Sequence, residues 1–112
     1  MKLVTAILQP DVLEAVQKAL VKYGVKGMTI SEASGYARQL GHKEVYRGET
    51  LTIDFILKIK LEIVCDDSDA ESIVAIIANS ARTGQVGDGK VWVTPIDSVV
   101  RVRTGEVGAA AV

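Results

Sequence analysis

The chain is poor in the groups that extracellular, catalytic and nucleic-acid-binding proteins of its size depend on. Of 112 residues, one is Cys (Cys65) and one is His (His42). One thiol closes no internal disulfide, and Cys65 ends an apolar alternation, which predicts a small packed strand residue rather than a reactive thiol. With so little His and Cys, no nucleophile–base pair or metal-ligand cluster falls at a recognisable spacing. His42 reads as a hydrogen-bonding loop residue. Charge of one sign is not in excess: 13 Lys and Arg face 14 Asp and Glu, for a net −1. General nucleic-acid binders and anionic-membrane binders are normally basic. One Phe, one Trp and three Tyr make no base-stacking platform. No run approaches the ~18 apolar residues of a membrane span. The apolar part of "MKLVTAILQP" is too short for a signal-peptide core with its cleavage site. These absences predict a cytoplasmic protein that takes no nucleic acid and shows no catalytic constellation. A weak ATPase is the one catalytic reading left open.

What is present is an ordinary core. Apolar residues make up 48% of the chain, and a chain of this length suits one domain that buries roughly two-thirds of its unfolded surface. "KLVTAIL" at 2–8 is rich in strand formers. From Asp11 the period changes: Val12, Val16, Ala19 and Tyr23, with Leu13 and Leu20, fall at helical spacing. Asp11 with Glu14 resembles a capping box, and Gly24 supplies a stop. "GMTISEASGY" reads as a second strand. The pattern then recurs. In "LKIKLEIVC", Leu57, Ile59, Leu61, Ile63 and Cys65 alternate with Lys58, Lys60, Glu62 and Val64. Ser68 with Glu71 is a second capping box. Ala70, Ile73, Val74, Ile77 and Ala81 stripe a second helix that Gly84 ends, and "KVWVTPI" follows as a strand. "VVRVR" at 99–103 reads as a short extended tail. Two consecutive β-α-β units predict an α+β, ferredoxin-like βαββαβ fold with both helices on one face of an antiparallel sheet. The first strand is apolar on both sides, so its open face needs a partner and an oligomer is expected. The connection at 37–55 has little periodicity, a length at which loops tend to be functional or mobile.

The stretch "TGQVGDGKVWV" at 83–93 contains Gly84, four residues, Gly89 and Lys90, most of a P-loop. A Walker A loop leaves a strand, opens a helix, and follows its Lys with Ser or Thr for magnesium. Here a helix comes first, a strand comes after, and Val91 follows Lys90. The chain is therefore no P-loop NTPase. Glycines at 84, 87 and 89 still allow left-handed backbone and close approach of a ligand, and successive amides can form an anion nest. Lys90 adds a point charge. Arg101 and Arg103, if extended, project from one face roughly 6–7 Å apart, which suits a polyphosphate. A plain helix-to-strand turn and a solvated edge strand explain the two features as well, and nothing in the sequence places them together.

Beyond these physical arguments, the same residues resemble the PII signal-transduction family. "TGQVGDGKVWV" matches that family's C-terminal signature at every specified position: Ser or Thr, three free positions, Gly, Asp or Tyr, Gly, Lys or Arg, Ile or Val, Phe or Trp, then an aliphatic residue or Met. "GYARQLGHKEVYRG" resembles the start of the family's T-loop, and "VRVRTGE" its C-loop. The resemblance covers essentially the whole chain, and its two ends are most like actinobacterial members.

The resemblance implies a single domain over 1–112, with the T-loop about 37–55, the Gly-rich B-loop about 82–90 and the C-loop about 101–106. It implies a homotrimer with nucleotide sites for ATP or ADP between subunits. Thr29 and Val64 would contact the adenine and ribose end. Gly87, Asp88, Gly89 and Lys90 would hold phosphates, with Ala37, Arg38 and Gln39 alongside. Arg101 and Arg103 would reach in from the neighbouring subunit. With Mg2+ and ATP bound, 2-oxoglutarate would sit at Gln39, Gly41, Lys58 and Gly87, and Gln39 would ligate the metal. Lys58 has a plainer reading as one more charge on a solvated strand face. Glu44, Tyr46 and Arg47 would meet a target protein, with Arg47 entering an ammonium transporter, so that a membrane is reached only indirectly. Glu44 and Tyr46 also read as ordinary solvated loop residues.

The chain departs from the family's pattern at several places. Leu51 stands where a modifiable Tyr is usual, and without a hydroxyl it takes no nucleotidyl group. Glu49 stands where some relatives have Ser. Gln9, Ala37, Leu40, Leu57 and Gln85 replace Lys, Gly, Lys, Pro and Lys. A diverged paralogue that senses adenylates alone, or another small molecule, and controls a different transporter or enzyme is the second reading.

Overall fold

A computed structural model describes residues 1–36, 45–46, 49–50 and 55–112. Strand β1 (Lys2–Leu8) is followed by a 3-10 turn at Pro10–Val12 and helix α1 (Leu13–Tyr23). Strand β2 (Thr29–Tyr36) comes next, then the two-residue strands β3 (Val45–Tyr46) and β4 (Glu49–Thr50), which pair with each other. Strand β5 (Phe55–Cys65), helix α2 (Asp67–Ala81) and strand β6 (Gly89–Pro95) complete the order before a 3-10 turn at Gly108–Ala111. The sheet runs β2-β5-β1-β6 and every pairing is antiparallel. This is the expected ferredoxin-like α+β arrangement. No helix among the described residues is long and apolar enough to cross a membrane.

The apolar β1 is one of the two inner strands and carries hydrophobic residues on both faces. Val4, Ala6 and Leu8 are buried together with Val16 and Leu20 of α1 and Ala70, Ile73, Ile77 and Ala81 of α2. The even-numbered positions of β1 therefore face the helices. Across the ladder they meet Leu61, Ile63 and Ile59 of β5 and Val91 and Val93 of β6. On the opposite face Thr5 is also buried, while Leu3 and Ile7 are half-buried. Leu57 departs from its alternation partners: it is half exposed, at the end of β5 beyond Ile59.

Helix ends follow the backbone more than the expected side-chain caps. Neither α1 nor α2 has a side-chain N-cap hydrogen bond. At α1 the 3-10 turn consumes the position: Val12 N–H donates to Gln9 O at 3.3 Å, and Asp11 lies inside that turn. α2 starts one residue before Ser68, whose hydroxyl donates to Asp66 Oδ2 at 2.9 Å. Asp67 and Asp69 lie in the first turn, where negative charge suits the helix dipole. Gly24 does end α1, at φ 117°, with its N–H shared between Leu20 O and Val21 O. Gly84 does not end α2. The helix stops at Ala81, and Arg82 is already extended.

The tail at 99–103 is not the extended segment its alternation suggests. Val100 bridges Val107, Arg101 N–H donates to Glu106 O at 2.9 Å, and Gly105 N–H donates to Arg101 O at 2.8 Å. Residues 102–104 form the turn of a small hairpin, so the strand alternation that would align Arg101 with Arg103 does not apply there.

Gly89 and Gly84 separate two costs of a side chain. Both have positive φ, 107° and 84°. A methyl at Gly84 meets nothing within 4 Å, whereas one at Gly89 runs into the carbonyl oxygen of Ile7. Gly84→Ala is expected to cost only the left-handed strain, about 1–2 kcal/mol. Gly89→Ala is expected to cost several kcal/mol more, or to prevent folding, because β1 and β6 cannot then pair. Chemical denaturation of the two variants measures the difference.

Candidate functional site

The loop between α2 and β6 is built by three glycines and one carboxylate. Gly84, Gly87 and Gly89 all have positive φ, a conformation that costs other residues strain. Asp88 turns its carboxylate back onto the start of the loop. It accepts from the N–H of Thr83 at 2.9 Å, the N–H of Gly84 at 3.0 Å and the Thr83 hydroxyl. The Thr83 hydroxyl in turn accepts from Gln85 N–H at 3.2 Å. Those bonds hold the Asp88 carboxyl below its ordinary range, the Thr83 hydroxyl contributing most. The carboxylate proposed among the phosphate contacts is thus occupied within the loop.

Lys58 lies directly beside this loop. It is 6% exposed, not a charge on a solvated face. Its Nζ donates to the carbonyl oxygen of Gly87 at 2.7 Å, and among the described residues that is its recorded acceptor. An ammonium has three donors, and a buried cation without a counter-charge is costly. A methyl on Gly87 would crowd Gln9 Nε2 at 3.1 Å and approach Lys58 Nζ at 3.5 Å. Gln9, seen in sequence only as a replacement for Lys, therefore belongs to the same corner. So does Lys60. Directly opposed residues share a face of the sheet, and the register sets Lys60 opposite Ile7 and Ile7 opposite Lys90. The β5 alternation already put Lys58 and Lys60 on one face. Its link to Lys90 needs the β1 register, which no spacing reveals.

Thr29 and Val64 lie at the other end of the sheet. Both line a cleft of about 900 Å³ with Tyr23, Cys65, Ala111 and Val112. Thr29 pairs with Glu62, and Val64 with Leu3. Cys65 is 3% exposed, and burial, followed by the charges of Asp69 and Asp66, pushes its thiol pKa up, as suits a packed residue. Gly89 faces Leu8, five residues along β1 from Leu3, or about 17 Å at strand spacing. Arg101 belongs to the cleft end. Its guanidinium meets Glu106 Oε1 at 3.3 Å and donates to Val112 O at 3.5 Å. Arg103 is exposed, and Val102 between them is 98% exposed. One chain thus holds two separated groups: Gly87–Lys90 with Lys58 at one end, Thr29, Val64 and Arg101 at the other.

Ala37, Arg38, Gln39, Gly41, Glu44 and Arg47 lie outside the described residues, as does Leu51. Tyr46 falls on β3, opposite Glu49.

The Asp88 bonds carry a pH signature. A carboxyl whose folded pKa is depressed contributes stability above its unfolded pKa, ~3.9 for Asp, and loses it as pH falls through the lower folded value. Carbon-13 titration is expected to place the Asp88 midpoint below ~3.9, and Thr83→Val is expected to move it upward.

Against this geometry, known proteins give a consistent match. A family model described as Nitrogen regulatory protein P-II matches residues 1–106. The chain is 47% identical over 112 residues to a nitrogen regulatory protein P-II of Azospirillum brasilense, with all of both chains covered. Proteins of the same description from Synechocystis and Rhizobium meliloti are 47% and 45% identical, again over the full length of both. With its sheet order, its glycine loop and this full-length similarity, the chain belongs to the nitrogen regulatory protein P-II family.

Proposed function

We propose that this chain, a signal-transduction protein of nitrogen regulation by its family, works as an adenine-nucleotide sensor assembled between subunits of a homotrimer. The separation of the two residue groups carries this reading. Thr29, Val64, Arg101 and Arg103 lie at one end of the sheet, and Gly87, Asp88, Gly89, Lys90 and Lys58 at the other. A single ATP or ADP contacts both groups only when the end of one subunit abuts the opposite end of the next. The first group takes the adenine and ribose, and its arginines reach the phosphates. The second offers loop amides and Lys90 to the phosphates, with Asp88 contributing its backbone. Ala37, Arg38 and Gln39 adjoin the same phosphates. The exposed Val102, Val100 and Val107 on the 99–108 hairpin suit a surface covered by a second copy.

The corner at Lys58 fits a small carboxylate. A buried ammonium whose one acceptor among the described residues is the Gly87 carbonyl oxygen, beside a left-handed Gly87, presents charge and close approach together. We assign it 2-oxoglutarate, with Gln39 and Gly41 completing the site and Gln39 as the Mg2+ ligand. Magnesium bound with ATP offsets phosphate charge. The consequence is linkage. A ligand shifts the ensemble of the 37–55 arm only by its differential affinity for the arm's states, and the target biases ligand affinity by the same factor. The arm carries Glu44, Tyr46 and Arg47 to a target protein, for which an ammonium transporter is the leading candidate. Leu51 and Gln9 favour a second reading, in which the same cleft senses adenylates alone and the arm controls a different transporter or enzyme.

Titration calorimetry and sizing decide between these readings. ATP and ADP are expected to compete for the same sites on a trimer, three per assembly; a lone subunit, or no heat with either nucleotide, overturns the proposal. 2-Oxoglutarate is expected to bind only with Mg2+ and ATP present. Lys58→Met should weaken it by at least ~30-fold, the cost of losing one partner of a buried charge pair, while ATP binding stays. Absence of 2-oxoglutarate binding by the wild type selects the second reading. Intact mass of protein from nitrogen-starved cells should show no nucleotidyl adduct, because Leu51 has no hydroxyl.

A further inference from the structure

The loop 83–88 holds a carboxylate in the middle of a segment offered to phosphate, an arrangement that repels the ligand unless the charge is engaged elsewhere. Asp88 is flanked by Gly87 and Gly89, yet its oxygens accept from two backbone amides and one hydroxyl at the other end of the loop. These contacts join the two ends of the segment that links Ala81 to Gly89. Among the described residues the ring is closed by the Asp88 side chain and by no backbone-to-backbone bond; α2 ends at Ala81 without a glycine cap and Arg82 is extended. Inside it lies Gly87, whose carbonyl oxygen is the acceptor for Lys58.

We propose that Asp88 is a positioning residue. Its clamp on Thr83 and Gly84 sets the Gly87–Lys90 amides for phosphate and, through the Gly87 carbonyl, sets the Lys58 ammonium for the carboxylate ligand, while the Asp88 carboxylate itself touches neither ligand. This inference rests on the nucleotide-sensor reading and deepens it: the two subsites share one clamp, so loosening the clamp weakens both. Thr83 is the second half of the device. Its hydroxyl donates to Asp88 and accepts from Gln85 N–H, so a threonine, or a serine, is required at that position for hydrogen bonding rather than for packing.

A double-mutant cycle tests it, using the full chain. Asp88→Asn and Thr83→Val are each expected to weaken ATP about five- to tenfold, the range of one to two lost hydrogen bonds. Thr83→Ser is expected to bind like wild type. The double variant should be no weaker than the weaker single one, because both remove the same clamp. 2-Oxoglutarate affinity with saturating Mg2+ and ATP should fall in parallel. Additive losses, or single variants that bind ATP like wild type, overturn the positioning role. Amide chemical shifts of Gly87, Gly89 and Lys90 in the ligand-free protein give an independent readout. They are expected to move together in Asp88→Asn and Thr83→Val and to stay in Thr83→Ser; unmoved amides overturn the clamp whether or not nucleotide binds. Moved amides with no nucleotide binding by wild type would instead overturn the sensor reading and leave the clamp standing. If Asp88→Asn does not fold, the Thr83 pair alone decides.

Discussion

The register of β1 against its two neighbours is the constraint on which the site depends. Leu8 faces Ile59 on one side and Gly89 on the other. That single alignment brings Lys58 to the Gly87 end of the glycine loop. It holds because Val4, Ala6 and Leu8 are buried under both helices, and a slip by one residue would turn them to the open face. The close passage of Gly89 past the Ile7 carbonyl holds the second edge of the same alignment. Core packing and site geometry are thus one problem: hydrophobic burial selects the register, and the register delivers the cation.

The electrostatics follow from that placement. Lys58, Lys60 and Lys90 gather on one face in a chain whose net charge is −1, so the positive field is local. A surface lysine would be screened within about 10 Å, but the buried Lys58 is not. The loop meanwhile engages its own carboxylate by turning Asp88 back onto Thr83 and Gly84. The positive charge at the corner is thus local and leaves the whole molecule slightly acidic.

The proposed assembly between copies also answers a need of the sheet itself. A ferredoxin-like sheet leaves one face without helices, and here that face carries half-buried Leu3 and Ile7 beside exposed Trp92 and Val64. In the proposed trimer one association would cover that apolar surface and complete the binding cleft, and regulation by ligand would be coupled to the subunit boundary, where small shifts have two discrete packings to choose between.

Much of this was readable from residue order. The two β-α-β units, the stripe of α2, the Gly24 stop and the β5 alternation are local patterns of period 3.6 or 2, and local patterns are what a sequence contains. The left-handed backbone of the glycine loop was readable because glycine's conformational freedom is intrinsic. The helix starts were misread: a Ser or Asp three residues before Glu competes with backbone turns such as Pro10–Val12, and spacing does not rank the two. The tail was misread for a similar reason, since alternation in "VVRVR" does not show that Gly105 lets the chain fold back at residues 102–104. Tertiary structure alone decided that Asp88 closes its own loop, that Gln9 and Lys60 join the Lys58 corner, and that Arg101 sits with Val64 rather than with Gly87. The Asp88 closure is local, within five residues, but spacing does not show which way its carboxylate turns; the other placements depend on which strands lie side by side, and that is set by long-range burial rather than by any neighbour in the chain.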